Sequence, residues 1–132
     1  MVNKLFLQPQ EIETFYIIPT LRRHFASYLR ERGVKQKDIA QILMIRSATI
    51  SQYTSTKRGY KITLSSQILE EVKKSAGRIA DPISYIRETQ RLLKVIRFTG
   101  NICDIHKQVS VVPTGCEPLM TGCQPLTVQE KT

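Results

Sequence analysis

The run Gln36–Tyr53 most constrains what this chain can fold into, because its apolar residues are spaced as two short crossing helices require. Ile39 and Leu43 lie four residues apart on the first helix, while Ile50 and Tyr53 lie three apart on the second. A small alanine directly after Ile39 lets the second helix approach the first closely. The run therefore predicts a helix, a turn and a second helix.

The second helix of this run carries small or polar side chains on its outward face. Side chains of this kind suit a DNA major groove, where a glutamine can make a paired contact with adenine. We therefore predict base contacts from Ser47, Thr49, Ser51 and Gln52. The basic segment that follows has the composition of a phosphate clamp. We expect phosphate contacts from Arg46, Lys57, Arg58, Tyr60 and Lys61.

The stretch from Ile18 to Lys61 resembles the helix-turn-helix of phage-repressor-like (XRE-type) transcriptional regulators, particularly a group of small archaeal regulators. The resemblance rests on a preceding helix, the entry K-Q-K-D-I-A, the core A-T-I-S-Q-Y and the exit K-R-G. It implies a lambda-repressor-like unit that binds double-stranded DNA sequence-specifically and regulates transcription.

Two residues depart from the pattern of those regulators. Met44 occupies the turn position usually held by glycine, where a left-handed backbone would cost roughly 1 to 2 kcal/mol. Arg46 replaces the usual capping threonine, so either Ser47 caps the second helix or the cap is lost at a cost of about 1 kcal/mol. Both departures concern the start of the second helix.

Two other interpretations of the run are an ordinary helical hairpin in a small bundle and a generally basic protein with an acidic partner. The distribution of charge favours DNA binding, because the formal net charge is +9 and only Glu31 and Asp38 oppose the basic residues from position 22 to position 61. These basic residues are Arg22, Arg23, Arg30, Arg32, Lys35, Lys37, Arg46, Lys57, Arg58 and Lys61.

Apolar residues that recur every three or four positions predict further helices over 11–32 and from 64 or 65 to 76. Asp81 as a cap, Pro82 at a first helical position and Gly100 as a stop predict another helix over 82–98. Pro19 marks either a break or the first turn of the main part of the first helix. The sequence thus predicts an all-α chain of about five helices. We expect an N-terminal helix and the DNA-binding unit in residues 1–62, core-completing helices in 63–100 and an irregular Cys/His tail in 101–132.

The helix predicted over 82–98 has apolar side chains on more than one face. Such a helix is either the centre of a monomer core or is buried partly against another chain. Helix-turn-helix repressors commonly read two half-sites as two-fold dimers. We therefore expect a homodimer with this helix at the interface.

The tail contains four side chains that bind soft metals, Cys103, His106, Cys116 and Cys123. Thiolate sulfur and imidazole nitrogen are ligands of iron–sulfur clusters and of zinc. The spacing from Cys116 to Cys123 exceeds that of a usual zinc knuckle, and clusters tolerate irregular spacing. An iron–sulfur cluster is therefore our first expectation and zinc the second. The alternatives are inert buried thiols, or a Cys116–Cys123 disulfide with Cys103 free.

The sequence also disfavours several classes of protein. No apolar run is long enough to span a membrane or to serve as a signal-peptide core, so we expect a cytoplasmic protein. With two histidines, few carboxylates and no glycine-rich phosphate loop, we expect no enzyme activity. The main alternative function is a small metal- or cluster-binding accessory protein that acts through protein contacts.

Overall fold

A computed structural model describes residues 5–55, 59 and 61–124 of the chain. This part is all-helical, which confirms the predicted all-α class, but its seven helical segments exceed the expected number of about five. α1, a π-helical turn and α2 form the first segment. The elements are α1 (Pro9–Ile12), the π-helical turn (Glu13–Ile17), α2 (Ile18–Glu31), α3 (Gln36–Leu43), α4 (Ser47–Thr54), α5 (Ser66–Ala76), α6 (Pro82–Phe98), α7 (Asn101–Val109) and α8 (Pro118–Thr121).

Pro19 lies in the first turn of α2, one of the two places predicted for it. Because proline has no N–H, it cannot donate to the carbonyl of Phe15 four residues earlier. The helix does not break there but widens into the π-helical turn just before Pro19. The Thr20 hydroxyl donates to the Tyr16 carbonyl at 2.7 Å. The chain therefore continues from α1 into α2 as one helix.

The buried face of α2 forms the centre of the core. Leu21, Phe25 and Leu29 follow one another at intervals of four residues and are at most 1% exposed. The helices α3, α4 and α5 all pack against α2. The ring of Tyr85 from α6 meets the Phe25 ring edge-on, with 6.1 Å between the ring centroids. One helix thus contacts most of the others.

The helices α3 and α4 occupy the predicted run and bury its apolar residues. Ile39, Leu43, Ile50 and Tyr53 are each 1% exposed. Both helices pack on each other as well as on α2. The spacing of apolar residues therefore predicted both helices and the faces that they bury.

Met44 has the left-handed backbone predicted for its position, with φ 55° and ψ 41°. It ends α3, and the N–H groups of Met44 and Ile45 donate to the carbonyls of Gln41 and Ala40. Glycine is the usual residue at such a helix end, because a Cβ atom makes this conformation unfavourable. The turn thus forms as expected but without the preferred residue.

The starts of α5 and α6 are capped by side chains. Ser65 Oγ accepts a hydrogen bond from the Ile68 N–H at 3.3 Å. Asp81 accepts one from the Ser84 N–H at 2.7 Å, and this bond holds the pKa of Asp81 below its usual value. The bounds of α6 are those predicted from the Asp-Pro start.

The expectation of an irregular chain beyond Gly100 is wrong, because α7 follows directly. Gly100 has φ +75° and separates α6 from α7. Ile102, Ile105 and Val109 are buried at spacings of three and four residues, as in any amphipathic helix. This apolar repeat is short and lies among cysteines, glycines and prolines, which are more typical of irregular chain.

The buried apolar residues form one cluster that extends from Ile12 to Val109. The cluster contains residues from all three segments expected from the sequence, 1–62, 63–100 and 101–132. Within α6, Tyr85, Leu92 and Ile96 are buried, whereas Ile83 is 71% exposed and Ile86 is 45% exposed. The apolar faces of α6 are therefore covered in part by its own chain. Among the described helices, none has the length and hydropathy needed to cross a membrane.

Replacing Met44 by glycine is expected to stabilise the protein. The left-handed backbone costs a non-glycine residue about 1 to 2 kcal/mol, and the side chain, which is 55% exposed, contributes little packing. Part of the gain is offset by the greater freedom of glycine in the unfolded chain. We expect Met44→Gly to raise the free energy of unfolding by up to about 1 kcal/mol in urea denaturation. Met44→Ala is the control and should give no gain.

Replacing Gly59 by alanine is expected to destabilise the protein more than the same change at Gly33. Both glycines have positive φ, which alone costs alanine about 1 to 2 kcal/mol. A Cβ atom at Gly59 would also lie 2.8 Å from Arg23 Cβ and 2.8 Å from the Pro19 carbonyl oxygen, whereas one at Gly33 meets nothing within 4 Å. This overlap adds about 1 to 3 kcal/mol. Equal losses for the two variants in urea denaturation would contradict the close packing of Gly59 on α2.

Candidate functional site

The residues predicted to face DNA bases lie on the outward side of α4. Ser47 and Ser51 are exposed, and Thr49 is half-buried. Ile50 and Tyr53 point to the other side, into the core. A helix places residues three or four apart on the same side, so the small polar residues form one surface. We call the surface formed by Arg46, Ser47, Thr49, Ser51 and Gln52 the α4 face.

Gln36, at the start of α3, is bound to the α4 face. Its Nε2 atom donates to the Ser47 carbonyl at 3.0 Å, to Ser47 Oγ at 3.0 Å and to Ser51 Oγ at 2.9 Å. These contacts hold the exposed start of α3 beside α4. The sequence prediction did not include Gln36, because no spacing rule shows which side chain of one helix reaches its neighbour.

Gln52 is less accessible than the prediction assumed. The side chain is half-buried, and its Oε1 atom is buried without a hydrogen-bond partner among the described residues. In this rotamer the carboxamide does not present both of its polar atoms outward. A paired contact with a base therefore requires a different rotamer of Gln52.

The start of α4 has no side-chain cap. Arg46 is the residue before the helix, and no side chain accepts a hydrogen bond from the first turn there. Ser47 is already inside the helix, so the second of the two alternatives, loss of the cap, is correct. The start of α3 at Lys35 also lacks a side-chain cap. Both helices thus leave N–H groups of their first turns without a side-chain acceptor.

Several basic side chains around α3 and α4 are exposed and unpaired. Among the described residues, no carboxylate forms an ion pair with Lys35, Lys37, Arg46 or Lys61. These side chains are therefore not neutralised by direct ion pairs among the described residues, although Asp38 lies in the first turn of α3.

The arginines of the second half of the chain are paired instead. Arg91 binds Glu71 at 2.8 Å and Glu88 at 3.2 Å. Glu88 is 3% exposed and also binds Arg78 and Arg87. Glu13 and Arg97 form two hydrogen bonds, at 3.0 and 3.1 Å. These carboxylates pair with the four arginines around α5 and α6, whereas Lys73 and Lys94 are exposed and form no ion pair among the described residues.

Three arginines of the basic stretch donate hydrogen bonds to other groups within the protein. Arg22 donates to the hydroxyl of Tyr85 at 3.0 Å. Arg23 donates to the Gly59 carbonyl at 2.7 Å. Arg32 donates to the carbonyls of Ala76 and Ile79, both at 3.2 Å. The density of basic residues in the sequence therefore overstates the charge available to a partner.

The basic segment after α4 is described only in part. Lys57, Arg58 and Tyr60, which were predicted to bind phosphates, lie outside the described residues. Lys61 is exposed, and Gly59 packs on α2 through Arg23 and Pro19. The segment is thus attached to α2 at Gly59.

His24 lies in α2, next to Arg23. Burial and the positive charge of Arg23 lower the pKa of His24 to about 4, so the ring is neutral at pH 7. Its Nε2 atom lies 3.1 Å from the Arg23 guanidinium. His24 thus contacts side chains of its own helix, Arg23 and Tyr28.

The four predicted metal ligands line one cleft of about 670 Å³, between α7, the chain before α1 and the segment around α8. Cys103 and His106 come from α7, three residues apart and so on one side of that helix. Cys116 and Cys123 lie on either side of α8. We call this the Cys-His cleft.

His106 is almost completely buried at 6% exposure. Its Nε2 atom is buried and has no hydrogen-bond partner among the described residues. The ring lies against Phe6, with 5.2 Å between centroids. Burial lowers the pKa of His106, while a hydrogen bond with the Leu7 backbone acts in the opposite direction. The neutral ring therefore has a buried nitrogen without a partner.

All three cysteines are free thiols and half-buried, so the disulfide alternative is not present. Burial raises the pKa of the Cys103 thiol, and the nearby Cys123 and Cys116 thiols raise it further. Within the part of the chain that is described, no three His, Cys, Asp or Glu side chains are arranged to hold a metal ion. The fold thus gathers the predicted ligands in one cleft without bringing them into coordination geometry.

Comparison of this chain with protein-family models, with curated proteins and with solved structures gives no match. The candidate sites therefore depend on the geometry and chemistry of this chain alone.

Proposed function

We propose that the chain is a sequence-specific regulator that binds double-stranded DNA through the α4 face. The observation that carries this proposal is the position of Lys35, Lys37 and Arg46, which are exposed and unpaired among the described residues at the starts of α3 and α4, where Gln36 binds Ser47 and Ser51. Phosphates supply the counter-charge that these side chains lack. Small polar side chains supply contacts to base edges.

The side chains of this surface would contact different parts of the DNA, according to their chemistry and position. Ser47, Thr49, Ser51 and Gln52 would contact bases, and Gln36 would hold the serine hydroxyls in place. Arg46 and Lys61 would bind phosphates, together with Lys57, Arg58 and Tyr60 beyond the described residues. The uncapped starts of α3 and α4 favour the approach of an anion, because their free N–H groups carry partial positive charge.

A homodimer is part of this proposal. Ile83 and Ile86 lie three residues apart on α6, and both are exposed. A second copy that covers these side chains would supply the second α4 face that two half-sites require. The alternative function, a metal-binding accessory protein, requires neither the dimer nor DNA.

Removal of two exposed charges tests phosphate binding. We expect Lys37→Ala combined with Arg46→Ala to weaken binding to random duplex DNA and to flatten its salt dependence. The slope of log K against log salt should fall by about 0.9 for each phosphate that the variant no longer neutralises. The matched control is Lys73→Ala with Lys94→Ala, which removes the same charge from exposed sites on α5 and α6. Equal slopes for the two double variants would refute a DNA surface at α3 and α4.

Base contacts are tested separately, by selection of preferred sites from a randomised duplex library. We expect Gln52→Ala to change the preference at one base pair by about 1 to 3 kcal/mol and to leave the salt slope nearly unchanged. Gln90→Ala, at an exposed position on α6, is the control. Wild-type protein that shows no retention on duplex DNA at low salt would favour the accessory-protein alternative.

A further inference from the structure

We propose that the Cys-His cleft binds a thiophilic metal centre, either a single Zn²⁺ ion or the iron of an iron–sulfur cluster, through Cys103, His106, Cys116 and Cys123. This site does not depend on the proposed DNA binding.

The fold brings four ligands from the stretch 103–123 into one cleft. Residues 103 and 106 share one side of α7, and residues 116 and 123 reach the same cleft from both ends of α8. Three sulfur atoms and one imidazole nitrogen are a ligand set of Zn²⁺ and of iron in clusters. They are a poor set for Mg²⁺ or Ca²⁺, which prefer oxygen. The ligand set therefore selects the class of metal.

The state of His106 gives independent support for a ligand. A buried polar atom without a partner is unfavourable, and native proteins usually avoid one. His106 Nε2 is such an atom, in a side chain that is 6% exposed and lines the cleft. The Leu7 backbone interacts with the same ring by a hydrogen bond. Histidines that bind metals commonly use one ring nitrogen for the metal and the other for a backbone or carboxylate partner.

The segment that carries Cys116 and Cys123 is lightly packed. Leu119 and Met120 of α8 are 49% and 82% exposed. Gly115 and Gly122 precede the two cysteines, have positive φ and have nothing within 4 Å of a Cβ position. We expect metal binding to draw this segment, and with it both thiols, towards Cys103 and His106.

Charged groups at the cleft suit a centre with thiolate ligands. Each cysteine that binds a metal releases its thiol proton to solvent, so three thiolates around Zn²⁺ leave a net charge of −1. Lys107, Arg97 and Glu117 line the cleft, and Arg97 is paired with Glu13. Lys107 would therefore offset part of the negative charge of the loaded site.

The test uses the full chain purified without oxygen. Its zinc, iron and acid-labile sulfide are measured first, and the metal-free protein is then titrated with Co²⁺, whose absorption spectrum reports thiolate ligands. We expect one centre per chain, and iron with sulfide identifies a cluster whereas zinc alone identifies a mononuclear site. Protein that is isolated metal-free and shows no thiolate-to-Co²⁺ absorption would overturn the proposal.

Substitutions then test the ligand set. Cys116→Ser and Cys123→Ser lie in the lightly packed segment, so they should keep the helical circular dichroism signal while affinity for Co²⁺ falls more than about tenfold. His106→Asn tests the buried ligand, and His24→Gln is its control because His24 lies outside the cleft. Unchanged affinity in both serine variants would also overturn the proposal, whatever the result with DNA.

Discussion

The buried face of α2 is the surface on which the rest of the structure is assembled. Leu21, Phe25 and Leu29 contribute about 1.5 to 3 kcal/mol each by leaving water, and α3, α4 and α5 cover them. α6 joins through the contact of Tyr85 with Phe25. Gly59 packs on the start of the same helix. The direction of the α4 face and the attachment of the basic segment both depend on this one helix.

Carboxylates pair with basic side chains around α5 and α6 more than they do beside α3 and α4. Glu13, Glu71 and Glu88 bind arginines around α5 and α6 and offset part of the positive charge there, although Lys73 and Lys94 are exposed and unpaired among the described residues. Beside α3 and α4 the exposed lysines and Arg46 have no such partners among the described residues. Residues 1–60 contain ten basic and four acidic side chains, which is +6 of the net charge of +9, and an uneven distribution of this kind favours a polyanion partner at the first part of the chain.

The sequence predicted the helices whose apolar repeats are long and end in clear signals. The bounds of α6 follow from Asp81 and Pro82, and the left-handed turn at Met44 follows from its place between two helices. It missed α7, because a repeat of three apolar residues is short and lies beside glycines and cysteines. It also counted Arg22, Arg23 and Arg32 in the basic stretch that favours DNA binding, although each binds a group far away in sequence.

The sequence by itself determined the helical class, the positions of α3 and α4 and the residue types offered to a partner, because these depend on spacing within one helix turn or a few turns. Only the tertiary structure decided that Gln36 binds Ser47 and Ser51, that Gln52 is turned partly inward and that the Cys103, His106, Cys116 and Cys123 side chains line one cleft. Such contacts join residues from different elements. The packing of the helices decides these contacts, and a local sequence pattern does not predict that packing.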